Sequence, residues 1–559
     1  MAKIHTLKIK NFRGIQDFEQ VFGLTDFICL IGRGDSGKTT ILNAISMVLS
    51  PSWNLSFYDT DFYNCEIDKN IEIEATLYDL PNIFLRENKY GLYIRGIDKD
   101  SHKISDEIND NQISALTVKL IVDRELEPQW YITNGREQDP IEIKASDRAI
   151  LNAFLISDYV DRHFSWSKGN PLYSLLKLED TVDNIKSNLI ADAMREAKIK
   201  VDGGDFSHLQ GVIDKVETST RILGVPVQKI TTSIDFKDFT SNESKIYLHE
   251  ENIPFKQRGK GSKRLISTAI QLELVKKGGI LLIDEVEQGL EPDRVQHLIR
   301  TLKNTNKGQI FISTHSRDVL VELGATNVYI LKKGNKSLNQ ISPTINGCLR
   351  SNPESFFAKK IIICEGATEV GICRAINEYR ISKGLFSLSY LGICIADGEG
   401  TNFVNYCLGY LELGYDVCVF CDSDDEVINK AKDNLKTKGA TIVDCEAKKS
   451  IEQQIFDDVP QEVISLLIEY IIDEKGEETI KANLINILNP LPKEWRKDYS
   501  PEMIDALGKC SKNKGFYKRI DHGIFLGSKC LESLEDLVGS EKHLGKQFTQ
   551  LAKWIDNGL

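Results

Sequence analysis

Apolar positions change their spacing along the chain, and each change marks an element. IHTLKIKNF and DFICLIG read as strands around a turn at Arg13-Gly14. The second runs directly into a glycine-rich loop and a predicted helix, TTILNAISMVL. NIEIEATLYDL alternates with period two, the mark of a half-buried strand. From about Asp147 to Val225 the spacing becomes helical, as in DTVDNIKSNLIADAMREAKIKV and FSHLQGVIDKVETSTRIL. Strand character returns at VQKITTSIDF and SKIYLHEENI. A helix (KRLISTAIQLELVKK), the apolar strand GGILLID, another helix and the strand QIFISTH follow. Gly, Asn, Ser and Pro cluster between about Lys333 and Pro353, and a second β/α alternation starts there. Its strands are KKIIICEG, SYLGICIADG, YDVCVFCDSDD and ATIVDCE, with a helix through Arg380 and further helices between. The last stretch is mainly helical. The pattern predicts two α/β units in tandem, the first interrupted by a helical insert.

Composition narrows this picture. The 559 residues correspond, at roughly 150 per domain, to three or four folding units. Acidic residues number 82 and basic ones 70, a formal charge of −12. That excludes a uniformly basic nucleic-acid coat but not a local basic groove. No apolar run approaches the roughly 18 residues of a membrane helix, and the start lacks the apolar stretch of a signal peptide, so no membrane partner is expected. The 12 cysteines are dispersed in apolar stretches. Cys418-x-x-Cys421 has no second pair and sits in an alternating strand, so it reads as buried small residues rather than a zinc site. Such usage suits a reducing, cytoplasmic compartment.

Gly32-Arg-Gly-Asp-Ser-Gly37-Lys38-Thr39 matches G-x-x-x-x-G-K-[ST] between a strand and a helix. Backbone N–H groups of Gly32, Gly34, Asp35, Ser36 and Gly37, continuing to Thr40, can cradle phosphates. Lys38 reaches the β/γ-phosphates and Thr39 can hold Mg²⁺. Gly279-Ile-Leu-Leu-Ile-Asp284-Glu285 presents Asp284 for that ion and Glu285 as base or polariser of water. His315, ending the next strand, is placed to sense the γ-phosphate.

With Asn11-Phe-Arg13-Gly14 ahead of the loop, this set resembles the ABC-type ATPases of the SMC/RecF group. The resemblance makes Arg13 a nucleotide contact and has a second protomer complete the site through a signature loop, here Gly259-Lys260-Gly261-Ser262-Lys263-Arg264. Lys260 stands where that loop usually has Ser and Lys263 where it has Gln. The departure argues against fast ATP turnover and a standard ATP-sandwiched dimer.

The second unit places acids at strand ends: Glu365 before a glycine, Glu369 in the next helical turn, then Asp422-Ser-Asp424. Period two aims Asp422 and Asp424 to one side. Converging carboxylates repel unless divalent cations sit between them, and hard oxygen ligands suit Mg²⁺ or Mn²⁺. The two motifs in this order resemble the Toprim domain of topoisomerases, primases and certain nucleases. An ABC-type ATPase followed by Toprim resembles the OLD (overcoming lysogenization defect) nucleases, whose relatives include the Gabija nuclease subunit.

The resemblance implies boundaries at 1–164 and 236–350 for the two parts of the ATPase, 165–235 for a helical dimerisation insert, and 351–559 for Toprim with C-terminal helices. It adds Glu452, in Ser450-Ile-Glu452, as a metal-site acid. Lys518, or alternatively Lys514, becomes the lysine assisting phosphodiester cleavage; Asp425 and Asp457 are weaker candidates, and Asp444 and Glu446 read as surface charges. It implies an ATP-regulated, metal-dependent DNA endonuclease of anti-phage defence, with Glu365, Asp422 and Asp424 anchoring the metals. Such proteins form homodimers or homotetramers and some work with a helicase or a retron reverse transcriptase. Three rival readings remain: a RecF-like repair ATPase, a nucleotide-sensing scaffold, and a topoisomerase using Tyr517.

Overall fold

The computed structural model describes residues 2–109, 111–151, 153–157, 159–166, 170–178, 185–205, 207–222, 247–276, 278–304 and 308–557. In the N-terminal part, strands run in the order Ala153–Ile156, Ile280–Ile283, Gln309–Ser313, Phe27–Ile31, Val328–Ile330 and Asn339–Gln340. All neighbours are parallel except the last pair. The strands Phe27–Ile31, Ile280–Ile283 and Gln309–Ser313 are buried at every position, which is why the first two read as continuous apolar runs and the third as an apolar centre between Gln309 and Ser313 rather than an alternation.

A second, antiparallel sheet is built around Lys3–Phe12, Ile15–Val21, Ile71–Tyr78 and Ile113–Val122. The helix Lys38–Val48 lies between the sheets and buries Ile41, Leu42, Ala44, Ile45 and Val48 there. Its N-terminus is thereby fixed at the ends of the parallel strands.

Helical spacing from Asp147 onward is overturned at its start. Ala153–Ile156 is a strand, paired in parallel with Ile280–Ile283. Its Ala-Phe-Leu-Ile is too short for periodicity to separate strand from helix. Helices do form at Pro171–Leu178, Ile185–Asp202 and Ser207–Ile222. The expected strand VQKITTSIDF lies outside the described residues. No described helix is long and apolar enough to cross a membrane.

The second unit has four parallel strands in the order Ile393–Asp397, Lys360–Cys364, Asp416–Cys421, Thr441–Asp444. Its central strands are apolar on both faces because both are covered. Ile361, Ile363, Val417, Val419 and Cys421 belong to a core that continues into the first unit; Ile362, Cys364, Cys418 and Phe420 face the C-terminal helices. Cys418 and Cys421 thus occupy opposite faces, as buried thiols should. The Gly/Asn/Ser/Pro-rich stretch between the units packs too: Ile341, Ile345, Cys348 and Leu349 are buried in the shared core.

Candidate nucleotide and carboxylate sites

The phosphate loop follows the strand Phe27–Ile31 and ends at the N-terminus of the helix Lys38–Val48. Gly32 has φ +151°, and a Cβ there would lie 2.3 Å from the Leu331 carbonyl oxygen, so this turn admits only glycine. Lys38 Nζ donates to the carbonyls of Gly32 (2.9 Å) and Arg33 (3.0 Å). Thr39 Oγ1 donates to Asp284 Oδ1 at 3.2 Å, joining the loop to the end of the strand Ile280–Ile283. Ser313 Oγ donates to the same carboxylate oxygen at 2.5 Å and accepts from the Glu285 N–H at 2.8 Å. Burial pushes the Lys38 ammonium down against the pull of Asp284 and Glu285. A cavity of about 430 Å³ is lined by Gly14, Gly34 through Thr40, Asp284, Glu285, Ser313 and His315. Loop glycines, lysine, hydroxyl and paired acids therefore converge on one cavity with room for the phosphates of a nucleotide.

Other predicted nucleotide residues lie elsewhere. Arg13 is absent from the lining: its Nε donates to Asp61 Oδ1 at 2.8 Å, and its backbone N–H to the Asp61 carbonyl at 2.7 Å. The short 3-10 turn Asp59–Asp61 holds it, and of the Arg13-Gly14 pair only Gly14 reaches the cavity. Lys260 and Gly261 begin the helix Lys260–Lys276 and pack against Gly289, outside this cavity. Sequence reasoning passed over Glu287. Its carboxylate accepts from Thr314 Oγ1 (2.7 Å) and the His315 N–H (2.7 Å), fixing the histidine's backbone.

In the second unit Glu365 and Asp422 follow adjacent parallel strands, Lys360–Cys364 and Asp416–Cys421. They meet: the Asp422 N–H donates to Glu365 Oε2 at 3.0 Å. Glu369, in the first turn of the helix Ala367–Ser382, accepts from the Gly366 N–H at 3.1 Å. Asp422 Oδ1 accepts from the Ile451 N–H at 2.7 Å, which brings in the helix Ile451–Asp458 and with it Glu452. Glu452 Oε2 accepts from Ser450 Oγ at 2.9 Å; Oε1 is buried without a hydrogen bond, with Lys518 Nζ 3.5 Å away. Lys518 is placed by a close helix contact. The helix Ile520–Glu532 lies on Ala367–Ser382 so tightly that a Cβ on Gly523 would be 2.2 Å from the Thr368 carbonyl oxygen.

Electrostatics follow from this crowding. Burial, then Glu452 and Glu365, push Asp422 up to about 8. Burial pushes Glu369 well above the usual carboxylate range, with Asp422 and Glu452 adding to it, and raises Glu365 as well. Burial opposes the charge of Lys518, but Glu452, Glu369 and Asp422 raise its pKa overall.

Asp424 stands slightly apart, 2.5 Å from Lys512 Nζ, a lysine that sequence reasoning missed although it lies in the same basic run as Lys514. Lys514 is exposed at the end of the helix Pro501–Lys514. The lesser acids have other roles. Asp425 caps the helix Glu426–Thr437, accepting from the Val427 N–H at 2.7 Å. Asp457 and Glu446 pair with Lys449 at 2.8 and 2.6 Å. Asp444 is no simple surface charge, because it lies 3.3 Å from the buried Lys432. Tyr517 is buried, its hydroxyl donating to the Leu467 carbonyl at 2.9 Å, where no nucleophile could reach DNA.

Hard carboxylate oxygens, mutual repulsion and a buried Glu452 oxygen lacking a hydrogen bond fit a divalent cation. Among the described residues, no group of three or more His, Cys, Asp or Glu, this cluster included, is placed to hold a metal ion as it stands. Its members are held instead by backbone N–H groups, Ser450, Lys512 and Lys518.

Two family models match these two regions. One, described as "AAA domain, putative AbiEii toxin, Type IV TA system", covers residues 27–322, more than half of the chain, which belongs to that family. The other, "Overcoming lysogenization defect protein-like, TOPRIM domain", covers residues 356–424, the segment bearing Glu365, Glu369, Asp422 and Asp424. The chain is an OLD-family ATPase–Toprim protein. No curated protein matches this OLD-family chain. Solved structures resembling it include the Smc head domain with an extended coiled coil from Pyrococcus furiosus (12% identity, covering 61% of this chain and 96% of that one, TM-score 0.30). The recombination mediator protein RecF with ATP is 11% identical over 61% of this chain and 99% of that one, with TM-score 0.32. The SMC head domain from Thermotoga maritima is 13% identical over 61% and 99%, with TM-score 0.27. Overlaps this loose add nothing to the family assignment.

Proposed function

We propose that this OLD-family protein is a DNA endonuclease that depends on a divalent cation, is governed by ATP and serves anti-phage defence. The observation carrying this reading is the gathering of Glu365, Glu369, Asp422 and Glu452 around the ends of two parallel strands, with Lys518 beside them. Glu365, Asp422 and Asp424 would hold Mg²⁺ or Mn²⁺, assisted by Glu369 and Glu452. When bound there, such ions would supply Lewis acidity to activate water and stabilise the departing 3′-oxygen. Lys518, half-exposed, offsets charge building on the phosphate. Lys512 keeps Asp424 neutralised and must release it for that carboxylate to serve as a ligand.

Phosphodiester hydrolysis is downhill, so ATP is better suited to regulation than to driving the cut. Lys38, Thr39 and Asp284 would hold the nucleotide and its ion, with Glu285 and His315 facing the γ-phosphate. Lys260 and Gly261, outside their own cavity, are free to serve the nucleotide of a second copy in a homodimer or homotetramer. A helicase or a retron reverse transcriptase with its DNA product would then supply the target.

Incubation of the purified chain with supercoiled plasmid, Mg²⁺ or Mn²⁺, with and without ATP, tests the reading. Nicking or cutting is expected, abolished by Glu365→Ala or Asp424→Ala with ATP binding intact. Full cleavage by either variant would refute it.

A further inference from the structure

A second cavity, of about 410 Å³, lies on the seam between the two units and belongs to neither site above. Its size is that of small-molecule pockets. One wall is the back of the phosphate loop, Gly32 to Gly34 and Ser36, of which Gly34 and Ser36 also face the nucleotide cavity. The opposite wall is made by the roots of the Toprim strands: Lys359 just before Lys360–Cys364, and Gly414, Tyr415 and Asp416 at the start of Asp416–Cys421.

The charge of this cavity is one-sided. Arg33, Lys332, Lys333 and Lys359 line it, and among the described residues none of these side chains makes an ion pair or donates a hydrogen bond. Its acid, Asp416, is already engaged: the Trp554 indole N–H donates to Oδ1 at 3.0 Å and Lys360 Nζ lies 3.6 Å from Oδ2. Lys332 Nζ sits 3.7 Å from the centre of the Tyr415 ring, and burial pushes its pKa down to about 8. A cation withdrawn from water without a counter-charge is costly, and an anion in the cavity would offset that cost. Arg33 reaches across the seam, since a Cβ on Gly392 would lie 2.4 Å from its Nη1.

We propose that the seam cavity is a second ligand site, separate from the phosphate loop's own nucleotide, that takes a small phosphorylated anion: a nucleotide or inorganic pyrophosphate. Its occupant touches the phosphate loop on one side and the strand roots on the other. The far ends of those strands, about 17–20 Å away, carry Glu365 and Asp422. A ligand here therefore ties the two units together without entering either catalytic pocket. The binding claim stands whether or not the protein cuts DNA.

Calorimetric titration of the full chain with pyrophosphate and with AMP tests it in wild type, Lys38→Ala, Lys332→Ala and the exposed-residue double variant Lys333→Gln/Lys359→Gln. Binding is expected to persist in Lys38→Ala and to weaken about tenfold or more in Lys332→Ala. Lys333→Gln/Lys359→Gln, whose side chains lie at the surface, should weaken it as well and covers the case in which Lys332→Ala does not fold. Saturation by both probes assigns recognition to the phosphoryl group; saturation by AMP alone adds the nucleoside. If neither probe saturates at millimolar concentration, or if Lys38→Ala removes all binding while the seam variants keep it, the proposal is overturned.

Discussion

The nucleotide cavity and the carboxylate cluster sit on similar parallel sheets but are stabilised in opposite ways. In the first, backbone geometry makes the site: Gly32 turns where no side chain fits, and Lys38, Thr39 and Asp284 hydrogen-bond to the loop or to one another. In the second, like charges are crowded together and restrained by a few N–H groups and lysines. A site of complementary partners is stable as it stands; one of repelling partners stores an electrostatic cost that a cation relieves.

The largest effect that would break this contrast is in the second site. Asp422→Ala should lower metal-dependent plasmid cleavage by roughly 10²–10³-fold or more, the scale of losing one preorganised electrostatic element. Asp425→Ala, which removes only a helix cap, should cost about 1 kcal/mol of stability and leave cleavage nearly intact. Equal effects of the two on cleavage would mean that Asp422 has no special chemical role. In the first site, Lys38→Ala should weaken ATP binding about 10–100-fold, measured by calorimetry, because a charge-assisted phosphate contact is lost. The same variant should abolish any effect of ATP on cleavage.

How far each site could be read from sequence follows from the same contrast. The phosphate loop is contiguous, so its glycines, Lys38 and Thr39 were legible as one string; Asp284 followed from a strand of unbroken apolar residues and His315 from the end of the next strand. The acids of the second site come from separate segments, yet Glu365 and Asp422 were still legible because parallel strands bring their ends together. What escaped were residues whose role depends on partners distant in sequence. Arg13 turned to Asp61, Lys512 took Asp424, and Asp444 met a lysine buried under the sheet edge. Ala153–Ile156 escaped because four apolar residues carry no period.

Acid should separate the units as well. His163 Nδ1 lies 2.6 Å from Ser267 Oγ in the ATPase part, and burial pushes its pKa down to about 4 from an ordinary 6.5. The unfolded chain therefore takes up this proton first. The stability contribution is complete above pH 6.5 and declines as pH falls toward 4, by roughly 2 kcal/mol at pH 5. His163→Gln should shrink the loss in melting temperature between pH 7 and pH 5; an unchanged loss would assign the acid sensitivity elsewhere.

The smallest predicted effect sharpens the comparison most, because its sign differs between the two sites. Removing a charge from a complementary site destabilises, whereas removing one from a repelling site should stabilise. Glu452 is fully buried beside Asp422 and Glu369, each of which it pushes toward the protonated form, with Lys518, half in solvent, as its cation. Glu452→Gln keeps the shape and an oxygen able to accept from Ser450, but deletes the charge. In chelator-containing buffer this variant should be more stable by about 1 kcal/mol, read from thermal or urea unfolding, while cleavage with added Mn²⁺ falls. A destabilised variant would mean that the pairing with Lys518 outweighs the repulsion, and the cluster would then be an ion-pair network rather than a charged site held ready for a cation.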